Sequence, residues 1–153
     1  MKYIILEDIR SAYNVGAIFR TADASGVSKI FLTGYTPAPI DRFGRPQTEI
    51  LKTSLGSSGT MAWEQVATTK EIIERLQASG VTVAAVELAK GSVSLKDFVE
   101  PKHVAYIVGN EVDGVAKKTL ALADVIVELP MLGQKESLNV SVTAGIILYH
   151  GIT

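Results

Sequence analysis

The sequence predicts an α/β domain, a mostly parallel sheet flanked by helices. Five short runs rich in Val, Ile and Leu recur along the chain, separated by segments whose apolar residues fall at helical spacing. These runs are apolar nearly throughout rather than alternating with polar residues, as in strands covered on both faces. A chain of 153 residues, 47% of them hydrophobic, suits one compact domain with a substantial core and shows no second domain.

Tyr3 to Leu6 reads as the first strand. Val15, Ile18, Phe19, Ala22 and Gly26 then recur at helical spacing, with Asn14 as the expected N-cap and Gly26 as the stop, and Arg20 lies off that stripe. A second strand, Lys29 to Leu32, leads into Thr33 to Gln47, whose Pro37, Pro39, Gly44 and Pro46 deny it any period. That stretch is expected to be a mobile surface loop. Leu55 to Thr60 reads as a flexible turn, and Trp63 with Met61 and Val66 as packing near a sheet edge. Glu71 to Ser79, closed by Gly80, is an amphipathic helix. The strands Val81 to Val86, Val104 to Val108 and Val125 to Leu129 follow, with a short helix Ala116 to Leu122 among them and a last helix marked by Val140, Ala144, Ile147 and Leu148. There is no internal repeat or low-complexity tract.

The formal charge of -1 supplies no global pull on nucleic acid, so an RNA contact has to come from a local patch. With no cysteine, a disulfide framework, a thiolate nucleophile and Cys-ligated zinc are excluded; His103 and His150 read as bystanders, and no metal site is expected. The first apolar run is too short for a secretory segment and no run approaches bilayer length. A cytoplasmic protein without membrane contact is expected.

In open α/β sheets, ligands sit beyond the carboxyl ends of strands, which here are followed by Gly109 and by Met131 to Asn139. Gly109 and Gly114 have the first spacing of a phosphate-binding loop, but Val115 and Ala116 stand where Lys and Ser or Thr are needed. No Gly-x-Gly-x-x-Gly follows any strand either. A ligand without phosphates suits these loops better.

Three motifs now stand together: Asn14-Val15-Gly16-Ala17-Ile18-Phe19-Arg20-Thr21-Ala22, Ile107-Val108-Gly109-Asn110-Glu111-Val112-Asp113-Gly114-Val115, and Leu129-Pro130-Met131-Leu132-Gly133-Gln134-Lys135-Glu136-Ser137-Leu138-Asn139-Val140-Ser141. This set resembles that of the SpoU (TrmH-type) RNA ribose methyltransferases of the SPOUT superfamily. The resemblance implies a C-terminal deep trefoil knot, S-adenosyl-L-methionine as cofactor, a homodimer whose subunits complete each other's sites, and transfer or ribosomal RNA as substrate. It covers nearly the whole chain, so residues 1–153 are expected to be a single SpoU-type domain with no added RNA-binding domain. By motif position it assigns the cofactor to Leu88, Gly109, Leu129, Met131 and Leu138, and catalysis to Arg20 with Asn14, Glu111, Ser137 and Asn139.

The implied reaction is attack of a ribose 2'-hydroxyl on a sulfonium methyl group, which needs orientation, desolvation and stabilisation of developing negative charge. A guanidinium stays protonated in proteins, so Arg20 is expected to stabilise the alkoxide and anchor phosphate rather than act as a base. Ser137 would accept or relay the proton, Asn14 would help to place Arg20, and Glu111 would hold Arg20 through a charge-assisted pair. Arg42, Arg45 and Lys52 are secondary candidates for RNA phosphates, against a reading as an ordinary solvated loop. Taken singly, Arg20 is a solvated helix residue, Glu111 a surface carboxylate, and Leu88, Leu129, Met131 and Leu138 core. The rival functions are a non-catalytic RNA- or cofactor-binding module and a phosphate-using nucleotide enzyme. The first is opposed by the joint presence of the five polar residues, the second by the failed phosphate-loop match.

Overall fold

The computed structural model describes residues 1–152. Among these residues, seven strands and five α-helices follow one another as β1 (Lys2–Glu7), α1 (Ala12–Ala24), β2 (Lys29–Thr33), α2 (Thr48–Ser54), β3 (Trp63–Val66), α3 (Thr69–Ala78), β4 (Thr82–Val86), β5 (Val93–Ser94), β6 (Val104–Val108), α4 (Lys117–Leu122), β7 (Val125–Glu128) and α5 (Val140–Tyr149). The strands form one sheet in the order β3-β2-β1-β6-β4-β7-β5, and every pair is parallel. All carboxyl ends therefore emerge along one edge, which is what gathers distant loops into a site.

Alternation of side chains along each strand divides the core in two. Ile4 and Leu6 of β1, Ile30 and Leu32 of β2, and Val104, Tyr106 and Val108 of β6 pack with α1 and α5. Ile5, Phe31, Val83, Ala85, Ala105 and Ile107 pack on the other face with Ile72, Ile73 and Leu76 of α3. Both faces are covered, which is why the central strands read as continuous apolar runs.

α1 carries Val15, Ile18, Phe19 and Ala22 into the first core beside Ala144, Ile147 and Leu148 of α5. Its N-cap is Ser11, whose side chain accepts from the Asn14 amide, so the expected cap at Asn14 is corrected: Asn14 lies inside the first turn and is buried. A serine three residues upstream supplies the same oxygen to a free amide, and Asn14 is released for another contact. The helix ends as expected, with Gly26 at φ +74°. Gly16 lets α2 cross closely, since a Cβ there would lie 2.7 Å from the Ile50 carbonyl oxygen and collide with Thr53.

Three elements escape the sequence reading. α2 has seven residues and buries only Ile50 and Ser54; the edge strand β3 buries only Val66; β5 has two residues. None is long enough to express a period. The turn after Leu55 is also tighter than expected, because Ser57 and Ser58 are buried and bonded to the Ser54 carbonyl and hydroxyl at 2.7 and 2.9 Å. Trp63, Met61 and Val66 do lie at the sheet edge.

The end of α5 is clamped to β1. Lys2 Nζ donates to the Leu148 and His150 carbonyls and pairs with Glu100 at 3.0 Å. The other Glu100 oxygen accepts from the Tyr106 hydroxyl at 2.6 Å, and burial together with this bond pushes the Tyr106 phenol above its ordinary value. His150 contacts the Phe98 carbonyl, and His103 the N-terminal amine. Both imidazoles serve local packing rather than the cleft described next.

Candidate active site

The loops after β4, β6 and β7 enclose a cleft of about 480 Å³ at the carboxyl edge of the sheet. Leu88, Gly109, Leu129, Met131 and Leu138, five residues spread over three loops, all line it. Leu88 is 59% exposed and Leu138 42%, so their side chains project to the cleft and solvent instead of the core. Gly109 has no room for a Cβ, which would lie 2.5 Å from the Gly114 carbonyl oxygen and collide with the backbone at Val115.

Asn110 shapes the loop after β6. Its Oδ1 accepts from the amides of Val112 and Asp113, each at 2.9 Å, while its Nδ2 donates to the Asp8 carbonyl and the Tyr35 hydroxyl at 2.9 and 2.8 Å. One amide thus uses its donors and acceptor to bind three loops. Glu87 accepts from the amides of Leu88 and Val115, each at 3.0 Å, closing the β4 loop onto the β6 loop. Buried Glu7 takes the Ala116 amide at 2.9 Å and the Thr119 hydroxyl at 2.5 Å at the start of α4. The sequence reading missed Asn110 and Glu87 as cleft-forming groups. Asn110 with Asp113-Gly114 three residues on carried a turn signal; a Glu ending an apolar strand carried none.

Among the described residues, Glu87, Glu111, Asp113 and Glu136 line the cleft with Lys117 as its one basic residue. Such a lining disfavours phosphate and favours a ligand with positive charge, and the Leu and Met side chains offer faces to a flat heterocycle.

The predicted polar set is divided. Ser137 and Glu111 line the cleft. Glu111, however, does not hold Arg20: its carboxylate accepts from the Arg10 amide at 3.0 Å and the Ser11 amide at 3.4 Å. The free amides and positive end of α1 attract this carboxylate. Asn139 caps α5, accepting from the Ser141 amide, and also meets Asn14. Arg20 is exposed on α1 and lines a separate depression of about 630 Å³ with Tyr13, Glu49, Lys52 and Tyr149. Of the three RNA candidates, Lys52 lines that depression beside Arg20, whereas Arg42 and Arg45 flank Phe43. Among the described residues, no group of three or more His, Asp or Glu is placed to hold a metal ion, and no helix is long and apolar enough to cross a membrane.

Comparison with known proteins gives this geometry a family. The chain is 32% identical over 145 residues to the 23S rRNA (guanosine-2'-O-)-methyltransferase RlmB of Neisseria meningitidis, covering 95% of this chain and 55% of that protein. It is 30% identical over 149 residues to the tRNA (guanosine(18)-2'-O)-methyltransferase of Escherichia coli, covering 95% of this chain and 60% of the relative. Among solved structures, an AdoMet-bound rRNA methyltransferase from Sinorhizobium meliloti matches with a TM-score of 0.87 at 33% identity, over 97% of this chain and 54% of that one. The chain therefore spans somewhat more than half the length of these relatives. Residues 1–149 match the model of the SpoU rRNA methylase family, and the chain belongs to that family.

Proposed function

We propose that this chain methylates a ribose 2'-hydroxyl of transfer or ribosomal RNA, using S-adenosylmethionine, as a cytoplasmic homodimer. The observation that carries the reading is the convergence of Leu88, Gly109, Leu129, Met131 and Leu138 on one acidic, phosphate-averse cleft. S-adenosylmethionine fits that lining as a cation with a flat base, and when bound it supplies an electrophilic methyl group. Leu88, Gly109, Leu129, Met131 and Leu138 would hold it, backbone amides and carbonyls of the loops meeting the edge of the base and Leu and Met side chains its faces. The relatives named for guanosine in both ribosomal and transfer RNA support a guanosine target in either.

The remaining residues orient the RNA and its proton. Ser137 at the cleft accepts a hydrogen bond from the 2'-hydroxyl and relays its proton to water, and Asn14 with Asn139 sets the polar wall between α1 and α5. Arg20 stabilises the developing alkoxide and anchors a phosphate. Its separation from the cleft within one chain favours delivery across a dimer, in which the partner's Arg20 completes the site. Exposed Tyr13 on α1 and Val142, Ile146 and Tyr149 on α5 supply an apolar surface for that pairing. The order β6-β4-β7-β5, with late strands interleaved among earlier ones, supports a C-terminal trefoil knot within one methyltransferase domain.

The test is transfer of labelled methyl from S-adenosylmethionine to RNA from cells lacking the gene, followed by alkaline hydrolysis. A 2'-O-methyl group removes the nucleophile that alkali uses, so label in alkali-resistant dinucleotides is the expected result. Binding of S-adenosylmethionine without transfer to any RNA would instead favour a non-catalytic module.

A further inference from the structure

The loop after β2 ends in a built feature that the reaction does not use. Asp41 folds the turn around itself: its Oδ1 accepts from the amides of Phe43 and Arg45 at 2.8 and 3.0 Å, its backbone amide donates to the Arg45 carbonyl, and its carbonyl accepts from Gly44. Its Oδ2 pairs with Arg45 Nε at 3.1 Å. Those bonds hold the Asp41 carboxyl below the ordinary carboxylate value. The turn presents Phe43, 65% exposed, with the Arg42 and Arg45 guanidiniums 4.8 and 4.9 Å from its ring centre.

The turn thus offers an exposed aromatic ring flanked by two planar cations. It matches what binds unpaired RNA, where bases stack on aromatic rings or guanidinium planes and phosphates take the cations. Its position fits that use. In an all-parallel sheet the β2 loop leaves from the same edge as the cleft, and Tyr35 of this loop is tied by its hydroxyl to Asn110 of the cleft wall. With a net charge of -1 over the chain, affinity for RNA has to come from local features of this kind.

We infer that the Arg42-Phe43-Arg45 turn is a stacking platform for an unpaired nucleobase of the substrate RNA, with the two arginines on the neighbouring phosphates. This rests on the RNA reading above and adds Phe43 as the group that selects single-stranded RNA.

The test compares the full chain with its Phe43→Ala, Phe43→Trp and Arg42→Gln variants. Binding is measured by fluorescence anisotropy to labelled oligo(A) and to an oligo(A)-oligo(U) duplex of equal length. Phe43→Ala is expected to weaken oligo(A) binding about tenfold and to leave duplex binding, melting temperature and S-adenosylmethionine affinity unchanged. Phe43→Trp restores the single-strand affinity. Arg42→Gln weakens both RNAs and lowers the salt slope by about one charge. Unchanged oligo(A) binding by Phe43→Ala, or equal loss on strand and duplex, overturns the platform even if the parent chain methylates RNA. A parent chain that neither binds nor methylates RNA overturns the RNA reading and the platform with it.

Discussion

Asn139 Nδ2 donates to Asn14 Oδ1 at 3.4 Å, joining α5 to α1 between residues 125 positions apart. The same Asn139 accepts from the Ser141 amide and hydroxyl at 2.9 and 2.6 Å. One side chain therefore caps a helix and fixes the contact between two motifs.

These duties separate by substitution. Asn139→Ala removes the cap and the cross-helix bond and is expected to lower stability by about 1 kcal/mol. Asn139→Asp keeps an acceptor for Ser141, so its urea midpoint should stay near the parent's, while it loses the donor to Asn14. Both variants should transfer methyl groups more slowly. Equal destabilisation of the two would remove the capping role.

Arg20 is exposed on α1, and among the described residues its side chain takes part in no ion pair. Arg20→Ala should change stability by no more than about 0.5 kcal/mol, leave S-adenosylmethionine binding intact, and slow methyl transfer on the order of a hundredfold. Mixing the inactive Arg20→Ala and Gly109→Ala chains should restore part of the activity if the chain pairs as proposed, because a mixed dimer would then join an intact cleft to the partner's Arg20. No recovery, once exchange of subunits is verified, would place Arg20 in its own chain's site.

Gly109→Ala tests the cleft floor. The added Cβ collides with the Gly114 and Val115 backbone, which has to move. A loss of about 1–3 kcal/mol in stability is expected, together with loss of S-adenosylmethionine binding in calorimetry. Intact binding in this variant would show that the β6 loop is not part of the cofactor site.

Glu64 on the edge strand makes a bond to Arg75 at 2.9 Å and one to Lys29 at 2.8 Å, and both hold its carboxyl below the ordinary value of 4.5. A depressed folded value means that the pair stabilises the protein above that pH and stops doing so as pH falls through the folded value. Because the side chain is about one-third exposed, the gain at neutral pH is no more than about 1 kcal/mol. The melting-temperature gap between the parent and Glu64→Gln should therefore be present at neutral pH and close below pH 4.5. A gap that persists in acid would assign the effect to packing.

The residues alone determined the fold class, the five central strands and the loops that line the cleft. Buried parallel strands must be apolar on both faces, so Ile4, Ile5 and Leu6 or Val104 to Val108 announce themselves without alternation. The motifs around Gly109 and Leu129 to Leu138 were likewise legible, and the structure gathers them. α2, β3 and β5 were not, since a seven-residue helix or a two-residue strand shows no period and is held by its neighbours. Only the tertiary structure decided which partner each polar group takes. Glu111 went to the amides that open α1 rather than to Arg20, and Asn14 yielded the cap to Ser11 and turned to Asn139. Local sequence specifies what a side chain can bond to, but a carboxylate or amide bonds to whichever unsatisfied group the packed sheet and helices bring within about 3 Å, and that proximity exists only in the folded chain.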